Sequence, residues 1–179
     1  GRSMVAQHSR ESGWTLGVHG GAGMFERDRL SPQRDREMRA ALVRALRAGG
    51  TVFADGGKAL DAVEAAVCVL EDDPHFNAGR GAVFTDAGTI ELDAAIMDGR
   101  DRRAGAVAGV QCVRNPVTLA RAVMERSPHA FLVGTGADRF ASEMRLELAD
   151  AAYFQTGVRW RQRQDLKARG ITTGSRFDA

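Results

Sequence analysis

The greatest density of chemically useful groups lies in LEDDPHFNAGRGAVF, at residues 70–84. Glu71, Asp72 and Asp73 place three carboxylates in the last turn of a predicted helix. That end of a helix carries a partial negative charge, so each acid there costs about a few tenths of a kcal/mol at a wet surface. A compensating cation is therefore expected, either an Arg or Lys from elsewhere or a metal ion held by free carbonyl oxygens. The alternative is an ordinary loop whose carboxylates face solvent.

Several familiar catalytic signatures are incomplete in this sequence. His19-Gly20-Gly21 follows an apolar run, as the oxyanion loop of α/β-hydrolases does, but no G-x-S-x-G elbow supplies a serine. Gly134-Thr135-Gly136 lacks the third glycine of a dinucleotide fingerprint, because Arg139 stands there. The four histidines show no metal-ligand spacing, and there is no HExxH. The chain thus has features of a pocket without a self-contained catalytic apparatus.

The composition excludes few classes of protein and favours a single globular domain. The 179 residues are 44% hydrophobic and 27% charged, and the net charge of +2 argues for neither nucleic acid nor membrane. The basic stretch 160–169 has one aromatic residue, which favours a solvated helix and flexible tail over a nucleic-acid patch. Cys68 and Cys112 sit in apolar surroundings without CxxC spacing, so we expect free thiols in a reducing, cytoplasmic compartment.

Hydrophobic periodicity predicts an α+β order of elements. Ser31-Pro32 should begin a helix that Gly49-Gly50 ends. Two strands separated by a short turn at 98–103 should pair as an antiparallel hairpin. The predicted strands are 14–18, 90–96, 104–113 and 130–133, and the predicted helices are 32–48, 58–71, 115–125 and 137–144. This order favours helices packed over a partly antiparallel sheet.

The run LEDDPHFNAGRGAVFTDAGTIELDAAIMDG at 70–99 resembles the signature of the plant-type L-asparaginase/isoaspartyl aminopeptidase family. VHGGAG at 18–23 is similar to the opening strand and turn of that family, and AGAVAGVQCVRNP at 104–116 is similar to a later segment. The resemblance is collinear from about residue 13 to residue 160 and is too long for chance agreement.

The resemblance implies the α-subunit half of a four-layer αββα sandwich, the fold of the N-terminal-nucleophile hydrolases. Such a precursor cleaves itself and frees a Thr as the first residue of a β chain, so no catalytic residue is expected in this chain. The free α-amine of that Thr can act as its base. The expected activity is hydrolysis of L-asparagine and of β-aspartyl dipeptides, in an (αβ)2 assembly formed with a β subunit from the same precursor.

Three site residues follow from the resemblance. It implies a substrate-pocket or supporting role for Asn77 and for the turn at Gly20 and Gly21, although Asn77 could instead be a turn residue bonded to its own backbone. No other cofactor is expected besides a structural sodium ion. The resemblance implies that main-chain oxygens hold this ion, those of Leu70, Glu71, Asp73, Phe76, Ala78 and Arg80.

We expect an N-terminal expression scar or flexible segment at 1–12. The α-subunit part of a single αββα domain should occupy 13–160, followed at 161–179 by a flexible linker upstream of the autocleavage site. The Gly-Thr-Val-Gly cleavage sequence of the family is absent, and Thr172-Thr173 is interpreted as linker. Two alternatives stay open: a glycosylasparaginase-like hydrolase, and a non-catalytic fragment or pseudoenzyme subunit. The preference between L-asparagine and β-aspartyl peptides is left undecided, because the specificity residues are expected on the β chain.

Overall fold

The computed structural model of the chain describes residues 4–6, 13–21 and 30–171. Within these ranges no helix is both long and apolar enough to cross a membrane. The strands are β1 (Met4–Ala6), β2 (Leu16–Val18), β3 (Leu92–Met97), β4 (Ala104–Val110) and β5 (Phe131–Val133). The helices are α1 (Pro32–Ala54), α2 (Ala59–Asp72), α3 (Pro116–Arg126), α4 (Gly134–Glu143), α5 (Ala151–Phe154) and α6 (Gly157–Ala168).

Strands β3, β4 and β5 form a mixed sheet with β4 in the centre. The predicted hairpin is confirmed, because β3 pairs antiparallel with β4, from Leu92 opposite Val110 to Met97 opposite Ala104. Strand β5 runs parallel to β4 on its other side. Helix α3 lies so close to β4 that a Cβ at Gly105 would collide with the carbonyl oxygen of Ala120. Glycine at this position lets the helix cover the sheet at short range.

The opposite face of this sheet is open in the described part of the chain. Ala106 faces the same way as Ala95 on β3 and Phe131 on β5, because these residues are direct partners in the two ladders. Three large apolar side chains on this open face are exposed: Met97 by 59%, Phe131 by 54% and Val133 by 58%. Sheets normally bury at least one face completely and often both, so this apolar face is a surface that needs a cover.

Helices α1 and α2 form a second packing unit. The predicted cap of α1 is confirmed, because the Ser31 side chain accepts a hydrogen bond from the Arg34 N–H. The predicted stop at Gly49-Gly50 is wrong, because α1 continues to Ala54. A Cβ at Gly49 would lie 2.8 Å from the carbonyl oxygen of Ala62, so this glycine allows a close helix–helix contact and does not end the helix.

Two ends of the chain differ from the sequence-based description. Strand β1 pairs antiparallel with β2 and lies inside the segment 1–12 that was expected to be flexible. Helix α6 runs from Gly157 to Ala168, so the expected boundary after Trp160 falls within a helix. The predictions for 172–179, and for the last two residues of VHGGAG, lie outside the described residues. The coarse prediction of an α+β chain, with helices over a partly antiparallel sheet, is confirmed.

Candidate functional site

The loop after α2 folds back on the end of that helix. Gly79 has φ +46°, in the left-handed region, and the Arg80 N–H donates to the Glu71 carbonyl at 2.7 Å. A Cβ at Gly79 would collide with the same carbonyl, and one at Gly81 would lie 2.7 Å from the carbonyl oxygen of Pro74. Only glycine fits both positions, so the turn brings several main-chain oxygens close together.

Asn77 stands at the exposed tip of this loop. Its Oδ1 accepts a hydrogen bond from the Val83 N–H at 2.9 Å, which joins the two sides of the loop. In the described part of the chain its Nδ2 has no partner, although an amide nitrogen can donate two hydrogen bonds. One half of the amide therefore holds the loop, and the other half is available to a ligand.

The glycine turn after β2 lies beside the same loop. A Cβ at Gly20 would be 2.9 Å from Cε1 of Phe76, the residue before Asn77. The Gly21 N–H donates to Nδ1 of His19 at 3.1 Å, and Gly21 has φ +100° with open space around its Cα. The structure thus brings together the two segments, distant in sequence, that carry the predicted site residues.

Arginines neutralise two of the three carboxylates at the end of α2. Asp73 is paired with Arg44 at 2.7 Å and with His75 at 2.7 Å. Asp72 accepts from Arg114 at 3.2 Å and from the Tyr153 hydroxyl at 2.9 Å. Of the two compensating cations that the sequence left open, arginine accounts for these side chains. Their charges therefore give no further reason for a metal ion.

Glu71, the third carboxylate, is buried at 3% exposure. Its Oε1 accepts from the Val117 N–H at 3.0 Å, whereas Oε2 has no hydrogen-bond partner among the described residues. Burial raises the pKa of Glu71 to about 7, and the nearby charges of Asp72 and Glu64 act in the same direction. The Val117 N–H limits this rise, because hydrogen bonds to the ionised form stabilise it.

The six residues expected to hold sodium all lie in this loop or at the end of α2. Three of their carbonyl oxygens already accept main-chain hydrogen bonds: that of Leu70 from Asp73, that of Glu71 from Arg80, and that of Asp73 from Phe76. Each carbonyl retains a second lone pair. Among the described residues no group of three or more His, Cys, Asp and Glu side chains is arranged to hold a metal. Any ion here would depend on main-chain oxygens.

Sequence reasoning missed the side chains that support the loop from elsewhere. Two guanidinium groups lie over the Tyr153 ring, with Arg80 at 5.6 Å and Arg114 at 5.4 Å from its centroid. Arg159 of α6 donates to the Gly81 carbonyl at 2.6 Å. No local sequence pattern predicts these contacts. Arg80 and Tyr153, like Gly81 and Arg159, are more than 70 residues apart, and Arg114 is also distant from Tyr153 in sequence. Only the arginine-rich character of α6 was visible.

Comparison with known proteins shows the family to which this chain belongs. Residues 12–176 match the family described as Asparaginase. An isoaspartyl peptidase/L-asparaginase from Homo sapiens is 51% identical over 128 residues, which cover 71% of this chain and 40% of the human protein. An isoaspartyl peptidase from Escherichia coli (strain K12) is 44% identical over 157 residues, 88% of this chain and 49% of that protein. The chain therefore belongs to the Asparaginase family, and it spans less than half the length of these relatives.

Proposed function

We propose that this chain is the α-subunit part of an amidohydrolase that acts on L-asparagine and on β-aspartyl dipeptides. The observation that carries the proposal is the position of Asn77 at the exposed loop tip near the Gly20-Gly21 turn, where its Nδ2 has no partner among the described residues. The names of the human and bacterial relatives, isoaspartyl peptidase/L-asparaginase and isoaspartyl peptidase, support the same substrates.

The chemistry proposed is nucleophilic attack on the amide carbonyl by a threonine at the start of a β chain. A threonine hydroxyl needs a base, and its own α-amine can serve once the preceding peptide bond is broken. The Asn77 amide would donate to this nucleophile. Because the amide is neutral, it shifts the pKa of the amine less than a carboxylate would.

The open face of the β3–β4–β5 sheet supports the proposed partner. A second sheet from the β chain would pack on Ala95, Met97 and Phe131 and give the four-layer αββα sandwich. Two packed sheets bury such alternating apolar residues in a core about 10 Å thick. We extend the proposal to an (αβ)2 assembly from one precursor. Free Cys68 and Cys112 are consistent with a reducing compartment, the cytoplasm.

We also propose that the loop binds sodium through the main-chain oxygens of Leu70, Glu71, Asp73, Phe76, Ala78 and Arg80. The fold of the loop supports this, because Gly79 and Gly81 leave no Cβ between the converging carbonyls of Glu71, Pro74 and Phe76. Bound sodium would supply a structural charge that keeps these oxygens together. It would hold the loop that carries Asn77 and take no part in the chemistry.

The test uses the full-length protein. N-terminal sequencing should find a second chain that begins with Thr, and the purified protein should release ammonia from L-asparagine and aspartate from β-aspartyl-leucine. Replacing that Thr with Val should abolish both reactions. Release of aspartate from glycosylated asparagine alone would support a glycosylasparaginase, and an inert protein with correct cleavage would be a pseudoenzyme; either result would contradict the proposal.

A further inference from the structure

Helix α6 is attached to the loop at 81–88 by three of its side chains. Arg159 Nε donates to the Gly81 carbonyl at 2.6 Å. One turn further, Arg163 donates to the Thr85 carbonyl at 3.2 Å and to the Asp86 carbonyl at 2.8 Å. Between them, the Trp160 ring meets the buried Phe84 ring edge-on at 5.1 Å between centroids. These contacts lie on one face of the helix, as the spacing of four residues requires.

The attachment combines the Trp160–Phe84 ring contact with the hydrogen bonds of Arg159 and Arg163, and none of the residues of α6 is buried. Arg159 is half-buried, and its pKa is lowered, first by burial and then by the like charge of Arg34. A guanidinium that has no carboxylate partner among the described residues has a cost there, which its short hydrogen bond to Gly81 partly offsets. Arg159 is therefore held at Gly81 by a specific contact and not by general apolar packing.

The contact at Gly81 is connected to Asn77 by a short and rigid path. Gly81 cannot shift far, since its Cα is packed closely against the carbonyls of Pro74 and Phe76. Two residues later, the Val83 N–H donates to Asn77 Oδ1 at 2.9 Å. A displacement of Gly81 would carry Val83 with it and release the amide of Asn77.

We infer that Arg159 is a positioning residue, which acts through Gly81 and Val83 to orient the Asn77 amide toward the substrate. Helix α6 then holds the loop that carries Asn77 in position and does more than connect two parts of the chain. This inference rests on the proposed function for its kinetic consequence. Its structural consequence, the link from Arg159 to the Val83 N–H, can be tested without any assay of activity.

The experiment compares Arg159→Ala, Arg159→Lys and Arg161→Ala in the full-length protein. Arg161 is the matched control, because it lies on the exposed side of the same helix and makes no hydrogen bond to the described residues. The first measurement is hydrogen–deuterium exchange of the Val83 amide. We expect Arg159→Ala to speed its exchange by about ten-fold, because its acceptor becomes mobile, and Arg161→Ala to leave it unchanged.

The second measurement is steady-state kinetics with L-asparagine. We expect Arg159→Ala to lower kcat by about three-fold or more with little change in KM, since small displacements of a supporting group reduce the rate. Arg159→Lys, which keeps a charged donor, should restore most of kcat. Because Arg159 acts through Asn77, the Asn77→Ala/Arg159→Ala double variant should be no slower than Asn77→Ala alone.

The outcomes separate the two hypotheses. Unchanged exchange at Val83 in Arg159→Ala overturns the inference whatever the activity, and so do additive kinetic effects in the double variant. A wild-type protein that hydrolyses neither substrate overturns the proposed function, whereas the exchange measurement still decides whether Arg159 restrains the loop. Slower turnover in both Arg159→Ala and Arg161→Ala would show a general charge effect and would also overturn the inference.

Discussion

The Glu71 carboxylate accepts a hydrogen bond at 3.0 Å from the Val117 N–H, 46 residues further along the chain. Val117 lies in the first turn of α3, where main-chain N–H groups have no partner within the helix. Asn115, which precedes this helix, makes no capping hydrogen bond with its side chain, and its Nδ2 donates to Asp72 instead. A buried acid on α2 therefore caps α3 from outside.

The first prediction follows from this cap. Glu71→Ala should lower the free energy of unfolding by about 1–3 kcal/mol, because it leaves a buried N–H without an acceptor. Glu71→Gln keeps an oxygen acceptor at this position and should therefore lower the free energy of unfolding much less. Urea unfolding of the full-length protein measures both. Asn115→Ala is the control and should cost less than Glu71→Ala, although sequence rules alone would favour the opposite order.

The second prediction separates the two halves of the Asn77 amide. Asn77→Asp keeps an oxygen acceptor for Val83 but loses the Nδ2 donor, so the thermal midpoint should stay within about a degree while kcat falls at least about ten-fold, or 1.4 kcal/mol. Asn77→Ala loses both and should lower stability and kcat together. Full activity in Asn77→Asp would show that the residue serves only the loop.

The third prediction concerns the thiol of Cys68. Burial, together with the negative charges of Glu71, Glu64 and Asp72, raises the pKa of Cys68 to about 12. The reactive thiolate is then about one part in ten thousand at pH 8, compared with about a quarter for an ordinary thiol. Iodoacetamide should leave Cys68 unmodified in the folded protein at pH 8. Below pH 11, the rate of alkylation should increase about ten-fold for each unit by which the pH is raised.

The same labelling experiment contains its own comparison. The pKa of Cys112 is raised to about 11, first by burial and then by Asp138, so Cys112 should also react slowly but faster than Cys68. In guanidinium both thiols should react at the rate of a model peptide. Rapid labelling of Cys68 in the folded state would mean that the α2–α3 contact opens readily.

The fourth prediction is that sodium stabilises the loop through carbonyl oxygens. Replacing choline chloride with sodium chloride at constant ionic strength should raise the thermal midpoint of the full-length protein. Gly79→Ala should remove this gain, because its methyl group would displace the Glu71 carbonyl. Gly136→Ala is the control, since a Cβ there meets no atom within 4 Å. Equal midpoints in the two salts would argue against the ion.

The fifth prediction is that residues 1–179 produced alone will aggregate or remain loosely packed. Their sheet would leave Met97, Phe131 and Val133 exposed and the outer edges of β3 and β5 unpaired among the described residues. Exposed strand edges and apolar faces favour association. Light scattering and thermal denaturation test this directly. A monodisperse monomer with a sharp cooperative melt would contradict it.

Most elements could be predicted from the sequence because their signals are local. The Ser31 cap, the helix predicted at 58–71 and the strand predicted at 90–96 each depend on neighbouring residues. The observed α2 and β3 lie close to those ranges, and the cap is present. Gly49 was misjudged as a helix end because the sequence does not show which surface meets that glycine. Glycine at this position allows the close approach of α2.

The loop at 70–81 was recognisable as a candidate site, but its supports were not. Physical reasoning left three possibilities open for the acidic helix end: a basic side chain, a metal ion, or carboxylates that face solvent. Only the fold brings Arg44 and Arg114 to the carboxylates. Glu71 was predicted to contribute a carbonyl oxygen, and nothing in the sequence indicated that its side chain caps α3. Contacts between distant segments need the tertiary structure.

The close contact between Gly49 and Ala62 has a mechanical consequence. Ala62 lies in the same rigid helix as Asp72, ten residues and therefore about 15 Å from the start of the Asn77 loop. A methyl group at Gly49 would meet the Leu16 side chain at 2.5 Å and the Ala62 carbonyl oxygen at 2.8 Å, so it would push α2 outward. Such a shift would reach the loop without touching a polar group. The distance between α1 and α2 at Gly49 thus helps to determine the position of the loop that carries Asn77.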